Sequence, residues 1–291
     1  MTPEEYCQQK ASRSGSSFYY SFLFLPEEQR QAITALYAFC REVDDVVDES
    51  TDEHIARIKL QWWRDTMKNT FGGEPEHPVQ HALANIIDRY RLPLELFLEI
   101  IDGMEMDLDN QRYPTFKELS LYCYRVASVV GLMAAEIFGY QDRSTPKYAY
   151  NLGIALQLTN ILRDVREDAA RGRIYIPLDE LQRFNVDDND ILLNKDSTAM
   201  RALLEFQAQR AQEYYDKAYA LLSEQDRYAQ RAGLIMAVIY RRLLKTIVDK
   251  NYPVMTGRIS LNPFYTLWLA WNAARKERLR WQKYLQTCHN T

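Results

Sequence analysis

The sequence predicts an all-α protein folded as a single domain over residues 1–291. Two observations carry this reading. Glycine and proline are sparse, at 10 each, and β-branched runs are few, so little in the chain interrupts a helix. Apolar residues recur at three- and four-residue spacing in stretch after stretch, and cap signals bracket those stretches. No internal repeat, low-complexity segment or linker divides the chain.

Residues 3–14 read as a short polar helix ended by Gly15. The aromatic stretch FYYSFLFLP follows and stops at Pro26. Pro26 opens a long helix with Glu27 and Glu28 in its first turn, where acids match the positive end of the helix dipole. Ile33, Leu36, Tyr37, Phe39 and Cys40 recur along it at helical spacing. Ser50 with Glu53 forms a capping box for a helix that runs to Gly72–Gly73. Further helices are predicted over 78–90 and from Pro93 to about residue 109, and Tyr113–Pro114 breaks the pattern. Thr115 with Glu118 caps a helix to Gly139. Its small residues Ala127, Ser128, Gly131, Ala134 and Ala135 permit close approach by another helix or by a substrate. Pro146 opens the next helix. After Gly172, RIYIPLDELQRFNV reads as an extended piece and a short helix, and 186–197 as a loop. Long amphipathic helices are predicted over about 198–224 and 227–250, and Pro263 begins a last one to about residue 284.

Composition narrows the functional classes. The net charge is −4 and no basic cluster is interleaved with aromatics, so no nucleic-acid partner is expected. Cys7, Cys40, Cys123 and Cys288 form no CxxC pair, which fits reduced thiols in a cytosol. His77 and His81 flank Pro78 with no obvious third ligand, so no zinc site is expected. The polar N-terminus has no apolar core of a signal peptide, and no apolar run approaches the ~20 residues that span a bilayer. The expectation is a cytoplasmic protein with peripheral contact at the inner face of a membrane. FYYSFLFLP and the stretch from Pro263 to Trp271 are the candidate contacts, although burial of either in the core would explain it equally well.

The stretch QLTNILRDVRED organises the functional reading. Gln157, Asn160, Asp164 and Asp168 lie three, four and four residues apart, so at about 3.6 residues per turn they share one helix face. Leu158, Ile161, Leu162 and Val165 between them are free to face a core. Upstream, Asp44 and Asp48 repeat the four-residue spacing. Like charges so placed weaken a helix by roughly 0.2–0.5 kcal/mol. Both pairs also fall near a helix C-terminus, where anions oppose the dipole. Either pair alone would read as a solvated helix end. Two pairs, one with amides in register, call for a compensating cation, and Mg²⁺ shared with a phosphate supplies it. Arg41, Arg163, Arg166, Arg171 and Arg173 cluster in sequence around the two pairs and can share diphosphate charge.

SGSSFYYSFLFLP, ALYAFCREVDDVVDE, YCYRVASVVG and QLTNILRDVREDAARGRIYIP resemble, in order and spacing, the motifs of the squalene/phytoene synthase family over about residues 10–280. The resemblance implies an isoprenoid-synthase-type helical bundle around a central cavity. It implies Mg²⁺-dependent head-to-head joining of two prenyl diphosphates through a cyclopropyl diphosphate, with Mn²⁺ as a substitute metal. Asp44 and Asp48 match the first aspartate motif, Asp164 and Asp168 the second, and Asn160 a metal-associated amide. Gln157 matches a residue beside the substrate, and Ser17, Tyr37, Arg41 and Tyr240 match positions near a diphosphate. Tyr122 matches a cavity tyrosine, and Arg173 lies in the arginine-bearing segment after the second motif. Asp45 points about 100° from Asp44 on a helix and ranks lower.

Within the family, Arg125 in YCYRVASVVG resembles the bacterial presqualene diphosphate synthases of the hopanoid pathway. That implies two farnesyl diphosphates as substrates, presqualene diphosphate as product and no use of NADPH. Arg125 would then stand near the cavity and hold the intermediate's diphosphate. Phytoene, dehydrosqualene and squalene synthases of the same family are the alternatives. Terpene cyclases share the metal logic but lack the RGRIYIP segment, and inactive lipid-binding or assembly members of the family would be expected to have lost carboxylates that this chain keeps.

Overall fold

A computed structural model describes residues 1–291 except 14–17, 51, 110–111 and 290–291. Its helices are α1 (Pro3–Arg13), α2 (Phe18–Phe22), α3 (Glu27–Glu49), α4 (Glu53–Phe71), α5 (Pro78–Tyr90), α6 (Leu94–Asp109) and α7 (Phe116–Cys123). A π-helical turn, Tyr124–Ser128, joins α7 to α8 (Val129–Phe138). There follow α9 (Thr145–Ala170), α10 (Leu178–Arg183), α11 (Asp188–Leu192), α12 (Thr198–Leu221), α13 (Glu224–Arg227), α14 (Arg231–Asp249) and α15 (Pro263–His289). Among the described residues the only β pairing is one isolated bridge between Arg112 and Ile174. The all-α prediction therefore holds.

α9 is the central element. Its apolar side chains pack most extensively against α12 and further against α14, α8 and the π turn. Leu158, Ile161, Leu162 and Val165 are buried, as their spacing predicts. A second cluster is built on Leu36, Phe39 and Val43 of α3, packed with Phe97 and Ile101 of α6. The aspartate-bearing ends of α3 and α9 project from these two cores.

Several boundaries differ from expectation, each for a local reason. α4 is capped by Asp52, whose carboxylate accepts from the backbone N–H of His54 and Ile55, and not by Ser50. The segment read as a loop holds α11, because Asp187 and Asp190 form a capping box. The chain breaks between α12 and α14 at α13, where Asp226 is 1% exposed. Its carboxylate accepts from the backbone N–H of Gln141 and Asp142 at 2.8 and 2.9 Å and from the Thr145 hydroxyl at 2.7 Å, which anchors the turn into α9. His77 caps α5 through Nδ1 and packs edge-on against Tyr6 and Trp63. The run from Phe116 to Phe138 is long and apolar enough to cross a bilayer, contrary to expectation. Its packing accounts for that composition, since Leu119, Tyr122, Cys123, Val129 and Met133 are buried, and the run lies against α6 and α9.

The π turn is fixed by close backbone approach. A Cβ on Gly153 of α9 would stand 2.5 Å from the Ser128 Cα and 2.7 Å from its nitrogen. Only glycine lets α9 lie this near the turn. The Ser128 hydroxyl donates to the Tyr150 carbonyl at 2.8 Å across the same contact. Sequence periodicity predicted an unbroken α-helix here; the π turn leaves no mark in that periodicity.

Candidate active site

A cavity of about 740 Å³ is walled by α3, α6, α7, the π turn, α9, α14 and the chain on either side of Pro263. α9 contributes Gln157, Asn160, Asp164 and Asp168, so the whole predicted stripe faces it. α3 contributes Tyr37, Arg41, Asp44 and Asp48, α7 contributes Tyr122 and α14 contributes Tyr240. Arg173 enters from the segment after α9. Met104, Val126, Ile161, Ile239 and Leu243 give the lining an apolar portion. Ser17 lies outside the described residues.

Five arginines line the cavity, and each is paired with a carboxylate of one of the two aspartate motifs. Arg41 meets Asp44 at 2.5 Å and also pairs with Asp45, which a second cation, Lys10, holds from the other side at 2.9 Å. Arg163 binds Asp164 at 2.7 Å, and Arg258 binds the same carboxylate at 3.0 Å. Arg171 and Arg173, at the end of α9, reach Asp48 on α3 at 2.9 and 3.3 Å. Asp168 alone of the four motif aspartates has no ion pair among the described residues.

Burial nonetheless holds two of the motif carboxylates above their usual range. Burial pushes Asp168 up to about 7, with Asp164 and Asp107 adding repulsion. Burial likewise pushes Asp44 up to about 6, against the opposing pull of Arg41.

A residue that the sequence reading missed is central to this wall. Asp107 of α6 is 8% exposed and accepts from the Tyr175 hydroxyl at 2.7 Å and the Tyr122 hydroxyl at 3.0 Å. The rings of Tyr122 and Tyr175 stack at 5.1 Å, and both line the cavity with Asp107. Burial raises Asp107 to about 6, while Arg173 and the two hydroxyls pull it down. Its signal was available. Ile100, Met104 and Asp107 fall on one buried face of α6, and an acid on an apolar stripe is rare without a role. Tyr175 sits in an extended segment, where helical spacing gives no cue.

The sequence model of the squalene/phytoene synthase family matches residues 11–265. The chain belongs to that family. A phytoene synthase of Synechococcus elongatus is 38% identical over 266 residues, which cover 87% of this chain and 86% of the relative. A phytoene synthase of Arabidopsis thaliana is 37% identical over 87% of this chain, which spans only 61% of that relative's length. Among solved structures, a dehydrosqualene synthase in complex with ligand superposes with a TM-score of 0.83 at 29% identity, covering 98% of this chain and 97% of that one. Squalene synthase HpnC of Alicyclobacillus acidocaldarius superposes with a TM-score of 0.77 at 30% identity, covering 86% and 94%.

This squalene/phytoene synthase family member is thus a prenyltransferase that joins prenyl diphosphates head to head, and such enzymes depend on a divalent metal. The residues present fit one. The Asn160 Oδ1 atom is buried without a hydrogen-bond partner, a carbonyl oxygen left for a hard cation. Asp168, two turns along the same helix face, has no ion pair among the described residues, and burial raises it and also Asp44, the latter despite its pair with Arg41. Among the described residues no three acids, histidines or cysteines already stand as a preformed metal cluster. Arginines hold Asp44, Asp48 and Asp164 instead.

Arg125 is not where the sequence reading put it. It is absent from the cavity lining, and its guanidinium pairs with Glu99 at 2.9 Å and lies 3.8 Å from Asp102, both on α6. Its neighbour Val126 takes the cavity position. The acids on α6 give Arg125 partners outside the cavity.

Proposed function

We propose that the enzyme joins two farnesyl diphosphates and releases presqualene diphosphate, with Mg²⁺ held by Asp44, Asp48, Asn160, Asp164 and Asp168 and with no use of NADPH. The observation that carries the metal-dependent condensation is the meeting of both aspartate motifs, five arginines and an orphaned amide oxygen in one partly apolar cavity. Bound Mg²⁺ would neutralise the departing diphosphate. Arg41, Arg163, Arg171, Arg173 and Arg258 would exchange carboxylate for phosphate oxygens as metal takes the aspartates. The first diphosphate leaves with its bonding electrons. The allylic cation is captured by the double bond of the second substrate, and loss of one proton closes the cyclopropane. The Tyr122 and Tyr175 rings offer a π face to that cation. Apolar walls keep water from it.

Two observations favour this C30 product. A dehydrosqualene synthase matches the fold over nearly the whole chain, and a squalene synthase matches it at 30% identity, both named for C30 products. A second reading, two geranylgeranyl diphosphates to phytoene, is favoured by the names of the curated relatives. Incubation with Mg²⁺ and labelled prenyl diphosphates of 15 and 20 carbons, with and without NADPH, decides between them. A phosphatase-sensitive C30 diphosphate supports the first reading. A C40 hydrocarbon replaces it with the second, and release of no diphosphate from either substrate overturns both.

A further inference from the structure

The last helix carries apolar side chains on two opposite faces. Thr266, Leu269, Ala270, Ala273 and Ala274 of α15 are buried, and the helix packs on α14, α13 and α2. On the other side Phe264, Leu267, Trp268 and Trp271 are 84%, 42%, 52% and 51% exposed. At about 100° per residue, 264, 267, 268 and 271 form one stripe facing away from the buried set. A surface helix ordinarily keeps its outer face polar, and a contiguous exposed apolar patch marks a contact surface.

The next turns of the same stripe carry Arg275 and Arg278, both exposed, with Lys276 and Lys283 beside them. The one acid of α15, Glu277, is taken by Arg227 at 2.6 Å. The outward charge of this helix is therefore basic, although the whole chain carries −4. The helix starts at the cavity, since Pro263, Thr266 and the preceding Leu261 line it. The other candidate stretch does not offer such a face. Phe22 and Leu25 are buried, Phe18 and Tyr20 line the cavity, and Leu23 alone of its apolar residues is largely exposed, at 43%.

We propose that this face of α15 docks the enzyme on an anionic lipid surface. Phe264, Leu267, Trp268 and Trp271 enter the interfacial layer, where tryptophan is favoured, and Arg275 and Arg278 meet lipid phosphates. Charge selects the occupant, because a second copy of this acidic chain would bring no matched negative stripe on α15. Continuity with the cavity adds a function that rests on the proposed reaction: a prenyl chain could pass between bilayer and cavity along an apolar path.

Flotation of the full chain, without substrate, tests the docking independently of catalysis. Vesicles of phosphatidylcholine with one part in two phosphatidylglycerol are compared with pure phosphatidylcholine. The wild type should float with the anionic vesicles, and Trp268→Ser with Trp271→Ser should reduce the bound fraction about tenfold at an unchanged melting temperature. Arg275→Glu with Arg278→Glu should cost a similar factor on anionic vesicles only. Brominated lipid should quench tryptophan fluorescence in the wild type and much less in the double-Ser variant. No flotation with anionic vesicles, or equal flotation of wild type and both variants, overturns the proposal. So does wild-type self-association that the Ser variant abolishes without any lipid binding, since that assigns the face to a second copy. Turnover of detergent-dispersed farnesyl diphosphate, measured in parallel, shows separately whether the proposed reaction stands.

Discussion

The Arg173 guanidinium lies 3.3 Å from Oδ1 of Asp48, a partner 125 residues away in the chain. With Arg171 at 2.9 Å on the same oxygen, the end of α9 is tied to the end of α3. The carboxylate proposed to bind metal is therefore held by groups suited to phosphate. Ligand binding has to trade these partners, and metal without diphosphate leaves the arginines uncompensated. Mg²⁺ alone should thus bind weakly, and Mg²⁺ with inorganic diphosphate should bind much more tightly than either alone. Titration calorimetry of the three combinations checks this; equal Mg²⁺ affinity with and without diphosphate contradicts it.

The four motif aspartates should separate in stability while agreeing in activity. Each change to Asn should lower turnover by roughly 10²–10³-fold, as expected for loss of charge at a developing leaving group. Asp48→Asn and Asp164→Asn strip partners from arginines and should lower the metal-free melting temperature. Asp168→Asn removes an acid with no ion pair among the described residues and should raise it, the gain in stability being on the order of 1–2 kcal/mol at pH 8 after allowance for solvent screening. Thermal melts in chelator give the order.

The metal-free protein should lose stability as pH rises through the neutral range. Asp44 and Asp107, each raised to about 6, and Asp168, raised to about 7, bind protons more tightly folded than unfolded. Their contribution is complete below the unfolded carboxylate value near 4 and is lost as pH climbs through 6 and 7. Melting temperatures in chelator should fall between pH 5 and pH 8, and Mg²⁺ with diphosphate should flatten that slope. A rise over the same interval would contradict the assignment.

Arg125→Gln should leave the product unchanged. The guanidinium pairs with α6 acids outside the cavity, so its loss should cost up to about 1 kcal/mol of stability and little turnover. Product analysis by chromatography is the check, and a switch from diphosphate to hydrocarbon would return Arg125 to the reaction.

Gly153→Ala should destabilise by about 2–3 kcal/mol, since its Cβ would meet Ser128 backbone that cannot yield. Gly103→Ala meets the Val126 Cγ1 atom at 2.8 Å and the Arg125 Cβ, which moves only with its backbone, at 2.9 Å, so it too should destabilise, by less because these contacts are less close than those at Gly153. Chemical denaturation of both variants gives the comparison.

Helical spacing was enough to place Gln157, Asn160, Asp164 and Asp168 on one face, because side-chain direction in a helix follows from residue number alone. It also separated Asp45 from Asp44, and Asp45 is absent from the cavity lining, turned toward Lys10 of α1. What spacing could not give was the partner across the cavity. Asp107, Tyr122 and Tyr175 meet from three elements, and no local rule joins them. Arg125 was misplaced for the same reason, since its acids lie on α6. The caps of α4 and α11 were decided by one or two residues of competing Ser and Asp, where local preferences are nearly equal.

The π turn between α7 and α8 has a consequence for length variation. A π turn is an α-helix holding one residue more than the α repeat needs. Deleting that residue would return the helix to the regular repeat with its flanking faces kept, whereas adding one more would turn everything before it by about 100° relative to α8. The Tyr122 hydroxyl would leave Asp107, and the stack with Tyr175 would open. A one-residue insertion there would thus undo a wall of the cavity without altering any residue that lines it.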